Sequence, residues 1–140
     1  MLRRYNKDDI EAIIKLEESL LNTSLGYNIL QDRLDDDNFL IYVYEDMGIC
    51  GYISSYFDGR TLEILNFCIK ENYQRKGIGS ILLQEIINKT KEKGLQNVIL
   101  EVRSSNEKAI NFYNKNGFKI INVRRAYYKN EDAYVMEKRI

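Results

Sequence analysis

A change of hydrophobic rhythm near residue 70 constrains this chain more than any other feature. Before it, residues 39–44, 49–57 and 62–69 are strand-like runs. They are joined by Glu45-Asp46-Met47-Gly48 and by Asp58-Gly59, the latter a strong hairpin signal, so an antiparallel meander fits the spacing. The third run is apolar on both faces except at Glu63 and Asn66. After it, a glycine-bearing turn over residues 74–79 opens a helix carrying Ile78, Ile81, Leu82, Leu83, Ile86 and Ile87. That helix ends on Lys91, Lys93 and Gly94, cations and a C′ glycine where the helix dipole favours them. A short buried strand follows at 98–102. Ser104-Ser105-Asn106-Glu107 then reads as a Ser-x-x-Glu capping box, starting a helix that runs through Asn116 and stops at Gly117. Residues 118–125 and 133–138 form a closing strand pair. Strand, helix, strand, helix and hairpin make an α/β (α+β) arrangement around one sheet.

The first forty residues prepare that sheet. Residues 2–5 suit a short edge strand. Asn6 or Asp8 caps a helix whose stripe is Ile10, Ile13, Ile14, Leu16, Leu20 and Leu21. A shorter helix over 27–34 ends in Asp35-Asp36-Asp37, read as a solvated turn, with a cation site as the alternative. A length of 140 residues without repeat, linker or low-complexity tract predicts one domain over 1–140.

Composition narrows the function. The 21 basic and 21 acidic side chains cancel, which argues against binding nucleic acid by phosphate neutralisation. The chain has no histidine, so no Ser-His or Cys-His nucleophile and no histidine-ligated metal can be built. Its two cysteines, Cys50 and Cys68, form no CxxC and read as reduced thiols. No apolar run approaches the ~20 residues of a membrane span. A soluble, cytoplasmic protein is the expectation.

Three places carry chemistry. In Gln74-Arg75-Lys76-Gly77-Ile78-Gly79-Ser80, two glycines at a helix start weaken the helix by about 1 kcal/mol each relative to alanine. Missing Cβ atoms let backbone N–H groups approach an anion, with Arg75 and Lys76 adding charge; close packing of helix on strand is the alternative. Glu101 interrupts an apolar strand, where it is either a functional carboxylate or a partner for Arg103 on the same face. Tyr113 shares a helix face with Asn106 and is either a functional phenol or half-buried packing.

Taken in order, these motifs resemble the GNAT superfamily of acyl-CoA N-acyltransferases. Gln74-x-x-Gly77-x-Gly79 is similar to its pyrophosphate loop, and Ser105-Asn106-x-x-Ala109-x-x-x-Tyr113-x-x-x-Gly117-Phe118 to its later helix motif. The likeness runs from about residue 62 to the C-terminus. Leu100-Glu101-Val102-Arg103 and Arg124-Arg125-x-Tyr127-Tyr128 resemble the RimI type, which acetylates the N-terminal alanine of a ribosomal protein. The Pro-Trp pair of that type is absent, since the chain has neither residue. The resemblance implies one central, mostly antiparallel mixed sheet with helices on both faces, and acetyl-CoA as co-substrate with no metal. Phe67, Cys68 and Ile69 would offer backbone groups to the pantetheine arm. Gln74, Arg75, Lys76, Gly77, Ile78, Gly79 and Ser80 would hold the pyrophosphate, and Asn106 would touch the cofactor. Glu101 would be the general base, Tyr113 the general acid, and Tyr127 and Tyr128 would line the acceptor's entry. The acceptor is expected to be a protein N-terminal amine. A small amine, a lysine side chain, or CoA binding without turnover are the alternatives.

Overall fold

Each apolar run pairs as its alternation demands. The structure is a computed structural model that describes residues 1–21, 24–128 and 130–140, with the backbone alone for Tyr128. Its strands are β1 (Leu2–Arg4), β2 (Phe39–Glu45), β3 (Ile49–Phe57), β4 (Thr61–Ile69), β5 (Asn97–Arg103), β6 (Lys119–Tyr128) and β7 (Glu131–Arg139). They form one seven-stranded sheet in the order β1-β2-β3-β4-β5-β7-β6. The β4–β5 pair is parallel, because α3 (Ile78–Lys91) crosses between the two, and the other pairs are antiparallel.

Two clusters of buried side chains sit on opposite faces of the sheet. On one face α3 and α4 (Glu107–Lys115) cover Ile64, Val98, Leu100 and Val102, with Leu82, Leu83, Ile86 and Ile87 pointing down from α3. On the other, α1 (Ile10–Leu20) and α2 (Tyr27–Asp32) cover Ile41, Val43, Tyr52 and Cys68. Each fully buried leucine or isoleucine contributes about 1.5–3 kcal/mol relative to exposure.

Local chemistry moves several element ends. Asn6 caps a short 3₁₀ turn, Lys7–Asp9, through a capping box with Asp9, and α1 begins only after it. The second helix is shorter than residues 27–34 and stops at Asp32. The capping box expected from Ser104 to Glu107 does not form. Asn106 caps α4 instead, accepting from the Ala109 N–H at 3.2 Å, and the Ser105 N–H donates to Glu131 at 2.8 Å. The hairpin strands run longer than the apolar pattern, so residues 126–128 belong to β6 rather than to a connection. A bulge there puts Ala126 at φ 51, with its N–H donated to Asp132.

One irregularity shapes the functional region. Ser54 pairs with Asn66 but Ser55 pairs with Ile64, so Leu65 is an extra residue in β4. A bulge bends its strand and increases local twist. Pairing of β4 with β5 stops at Glu63 and Ile99, although β4 continues to Ile69 and β5 to Arg103. Beyond that point the two strands leave a gap in the middle of the sheet.

Candidate active site

The gap has a polar rim of backbone groups. Lys70 donates its N–H to Cys50 on β3. Strand alternation therefore turns the N–H groups of Phe67 and Ile69 toward the gap. Cys68, paired with Tyr52, sends its N–H to β3, so of the three residues expected to meet a ligand, two present backbone there. The Cys68 side chain is buried on the α1 face, and burial pushes its thiol up to about 12, which makes it inert. Cys50 and Cys68 are both free thiols.

At the carboxyl end of β4 the chain turns through residues 70–77 into α3. Gln74 ties this loop down: its side-chain Nε2 donates to the Ile69 carbonyl at 2.9 Å, and Lys108 donates to its Oε1. Gln74 is thus a strut between β4, the loop and α4. Arg75 has φ 62 and Gly77 φ 82, left-handed values that glycine adopts freely and arginine only with strain. A Cβ on Gly77 would meet nothing within 4 Å, so this face of the loop is open. The first intrahelical bond runs from Ile81 to Gly77, which leaves the N–H groups of Ile78, Gly79 and Ser80 without helical partners. Exposed Arg75 and Lys76 stand beside them. Such a terminus stabilises an anion.

Gly79 does a second job. A Cβ there would lie 3.3 Å from the Phe112 ring and 3.5 Å from Phe67. The glycine therefore lets α4 and β4 close on the first turn of α3. Close packing of helix on strand, the alternative reading of the pair, therefore applies at Gly79, while Gly77 faces open space.

Glu101 and Tyr113 lie on opposite faces of the sheet beside this gap. Tyr113 projects from α4 into an aromatic cluster, with ring centroids 6.3 Å from Phe67, 5.3 Å from Phe112 and 5.5 Å from Phe118. It is 8% exposed, and burial holds its phenol well above the usual value, so it stays protonated. Glu101 points to the α1 face, away from Leu100 and Val102. Its partner is not Arg103 but Arg124, whose Nε lies 3.3 Å away across β7; Arg103 pairs with Glu131 at 3.5 Å. Arg124 also stacks on Tyr127 at 5.4 Å. The side chains of Arg124 and Glu101 are 50% and 29% exposed, so this pair is worth about 1 kcal/mol or less and an entering cation exchanges with it readily.

Past the end of β5 lies an open depression of about 980 Å³, lined by Arg103, Ser104, Ser105, Tyr127, Glu131 and Asp132 among others. Tyr127 is exposed at its rim. The side chain of Tyr128 lies outside the described residues. Asn106 sits at the start of α4, where its Oδ1 is engaged in the cap. No group of residues among those described is arranged to hold a metal ion.

Sequence reasoning missed Glu17. It is 0% exposed on the buried face of α1, where the stripe Ile10, Ile13 continues to position 17. A carboxylate on a core position of an apolar stripe was the available signal.

A splayed mixed sheet with a glycine-bearing helix start at the mouth of the gap has counterparts among known proteins. A family model described as acetyltransferase (GNAT) family matches residues 8–118. The chain belongs to that family. This acetyltransferase is 35% identical to the N-alpha-acetyltransferase of Sulfurisphaera tokodaii, over 96% of the chain and 90% of the relative. It is 38% identical to the ribosomal protein bS18-alanine N-acetyltransferase of Escherichia coli, over 52% of each. Its fold superposes on Ard1 of Thermoplasma volcanium with a TM-score of 0.87 at 28% identity, over 100% of the chain and 97% of that structure.

Proposed function

We propose that this acetyltransferase moves the acetyl group of acetyl-CoA to the α-amine of a protein N-terminus, an alanine at the start of a ribosomal protein being the foremost candidate. One observation carries the reading: a carboxylate and a protonated phenol stand on opposite faces of the sheet at the gap between β4 and β5. Two of the relatives named above, an N-alpha-acetyltransferase and a ribosomal protein bS18-alanine N-acetyltransferase, support the acceptor class.

Acetyl-CoA supplies an activated thioester, and the residues present fit it. The free N–H groups of Ile78, Gly79 and Ser80, with Arg75 and Lys76, suit its pyrophosphate, and the open face of Gly77 leaves room. The gap-facing N–H groups of Phe67 and Ile69 suit the pantetheine arm, and the Ile69 amide polarises the thioester carbonyl. Asn106 lies at the edge of this path. An α-amine has a pKa near 8, so at neutral pH most of it is protonated. Glu101, directly or through a water, removes that proton on the α1 face. The amine lone pair then attacks the carbonyl carbon, the C–S bond breaks, Tyr113 donates its proton to the departing thiolate on the α4 face, and the second proton shed by the new amide nitrogen passes through solvent to restore the phenol. Carboxylate and phenol need no histidine and no enzyme nucleophile. Tyr127, in β6 beyond Arg124, lines the acceptor's approach. Two free, buried thiols suit a reducing compartment, so the cytoplasm is the proposed location.

The test is mass spectrometry of acetyl transfer to an alanine-starting peptide, its N-terminally blocked form carrying a lysine, and a polyamine. Acetylation of the first alone is the expected outcome. Preference for the blocked peptide or the polyamine overturns the N-terminal reading and leaves a small-amine or lysine acetyltransferase.

A further inference from the structure

The buried carboxylate of Glu17 is satisfied entirely by uncharged groups. Its Oε2 accepts from the Tyr52 hydroxyl at 2.6 Å, from the Asn66 side-chain Nδ2 at 2.9 Å and from the Leu25 N–H at 3.1 Å. Its Oε1 accepts from the Ser24 hydroxyl at 2.8 Å. A carboxylate held this way is costly to desolvate, and apolar packing at this position would be cheaper. What the network does achieve is to aim Asn66. Oε2 already accepts from a backbone N–H, so the amide end turned toward it must be Nδ2. The Asn66 N–H is donated to the Ser54 hydroxyl at 3.0 Å. The side-chain Oδ1 is thereby directed away from Glu17, and no described residue donates to it.

The position of that unused acceptor matters. Asn66 is half-buried and follows the bulged Leu65, beside the gap. Thr61 pairs with Asn97 and Glu63 with Ile99; carried forward with the one extra residue, this register sets Asn66 level with Glu101. Asn66 shares its face of the sheet with Tyr52 and Cys68, the α1 face, which is also the face of Glu101. Two side-chain acceptors thus stand on the two lips of the gap, on the side from which the amine enters.

We propose that Asn66 is a second contact of the acceptor amine and that Glu17 is the positioning residue that aims it. The inference rests on the amine-transfer chemistry above, though not on the amine's being an N-terminus. Glu101 takes one proton of the ammonium, Asn66 Oδ1 accepts a hydrogen bond from a second N–H, and the freed lone pair is turned toward the thioester carbon. Asn66 neither gains nor loses a proton.

The experiment compares Asn66→Ala, Tyr52→Phe, Glu17→Leu and Glu17→Gln by steady-state kinetics, calorimetric acetyl-CoA binding and thermal melting. Misplacing a reacting group by about 1 Å costs on the order of a hundredfold in rate. Asn66→Ala should therefore lower kcat by about tenfold to a hundredfold and leave acetyl-CoA affinity unchanged. Tyr52→Phe removes a bond from the same carboxylate but leaves Asn66 aimed, so it should lower Tm and spare kcat. Glu17→Leu should share the loss of Asn66→Ala. Glu17→Gln should recover activity, since its oxygen can replace Oε2 while its amide faces the Ser24 hydroxyl. An Asn66→Ala enzyme with parental kcat overturns the proposal, and so does a Tyr52→Phe enzyme as slow as Asn66→Ala, which would make the network merely structural. Should Glu17→Leu not fold, the contrast between Asn66→Ala and Tyr52→Phe decides alone. A parent that acetylates a polyamine and no peptide overturns the N-terminal reading but not this one, which is then tested on the polyamine.

Discussion

Glu101→Gln separates catalysis from stability because the structure assigns the two effects different sizes. The carboxylate makes one ion pair, with Arg124 at 3.3 Å, and both side chains are partly exposed. Losing it costs about 1 kcal/mol or less, equivalent to about 2–4 °C in Tm. If Glu101 takes the amine's proton, its loss slows turnover by about 10²–10⁴-fold, or at least ~2.7 kcal/mol in the barrier. Acetyl-CoA affinity should not change, since the turn proposed to hold the pyrophosphate lies at the start of α3 and the rim amides belong to β4. The deficit should shrink as the pH rises above about 8, where the free amine no longer needs a base. Arg124→Met is the control. It breaks the same ion pair and keeps the carboxylate, so its rate should stay within about fivefold of the parent. The assay is CoA release with an alanine-starting peptide from pH 6 to 10, alongside calorimetric titration with acetyl-CoA. Glu101→Gln and Arg124→Met slowed equally would refute the base and leave the ion pair as the only role of Glu101.

Other expectations follow from the same geometry. Tyr113→Phe keeps the ring contacts to Phe67, Phe112 and Phe118, so melting should be unchanged while kcat falls about 10²-fold or more; parental kcat would remove the acid role. Burial raises the Tyr113 phenol, so its proton is retained on the alkaline side and kcat should not decline below about pH 10 through its loss; an alkaline limb below that value, absent in Tyr113→Phe, would contradict this. Gly79→Val forces side-chain atoms toward the Phe112 ring, 3.3 Å from the first added carbon, and should weaken acetyl-CoA binding at least about tenfold with circular dichroism unchanged; calorimetry showing parental affinity refutes it. Asp9 is buried, which opposes its ionisation, but bonds from Arg3 at 2.7 and 2.9 Å and from the Asn6 N–H outweigh that and hold its carboxyl low. Its stabilisation is therefore present above the unfolded value of about 3.9 and lost as the pH falls through the lower folded one. Asp9→Asn should cost about 1–3 kcal/mol at pH 7 in urea unfolding and flatten the acid dependence; an unchanged acid slope would show that Asp9 is not the group responsible.

Local chemistry was legible in the sequence. The turn at Gly77 and Gly79, the C′ glycine at Gly94 and the helix stop at Gly117 are written in residue types, because backbone conformation and helix ends depend on neighbours a few positions away. The apolar runs located each strand of the sheet to within a few residues for the same reason, and the ordered motifs supported family membership. Even locally, competition was invisible: Ser104 and Asn106 both suit a cap, and Asn106 caps the helix while Glu131, from another strand, takes the Ser105 N–H.

What pairs across distance was decided only by the tertiary structure. The sequence offers Arg103 to Glu101 because they are two residues apart on one face, but Arg124 reaches it across β7, and Arg103 turns to Glu131. Nothing in residues 62–69 marks Leu65 as a bulge, yet that one extra residue falls in β4 just past its last pair with β5, beside the gap on which the proposed chemistry depends. Glu17 broke its stripe visibly, but its meaning required Tyr52 and Asn66, 35 and 49 residues away, to be brought to one carboxylate. Periodicity and capping report short-range backbone preference. The partners of a buried polar group are set by which strands the sheet makes neighbours, and that is a property of the whole fold.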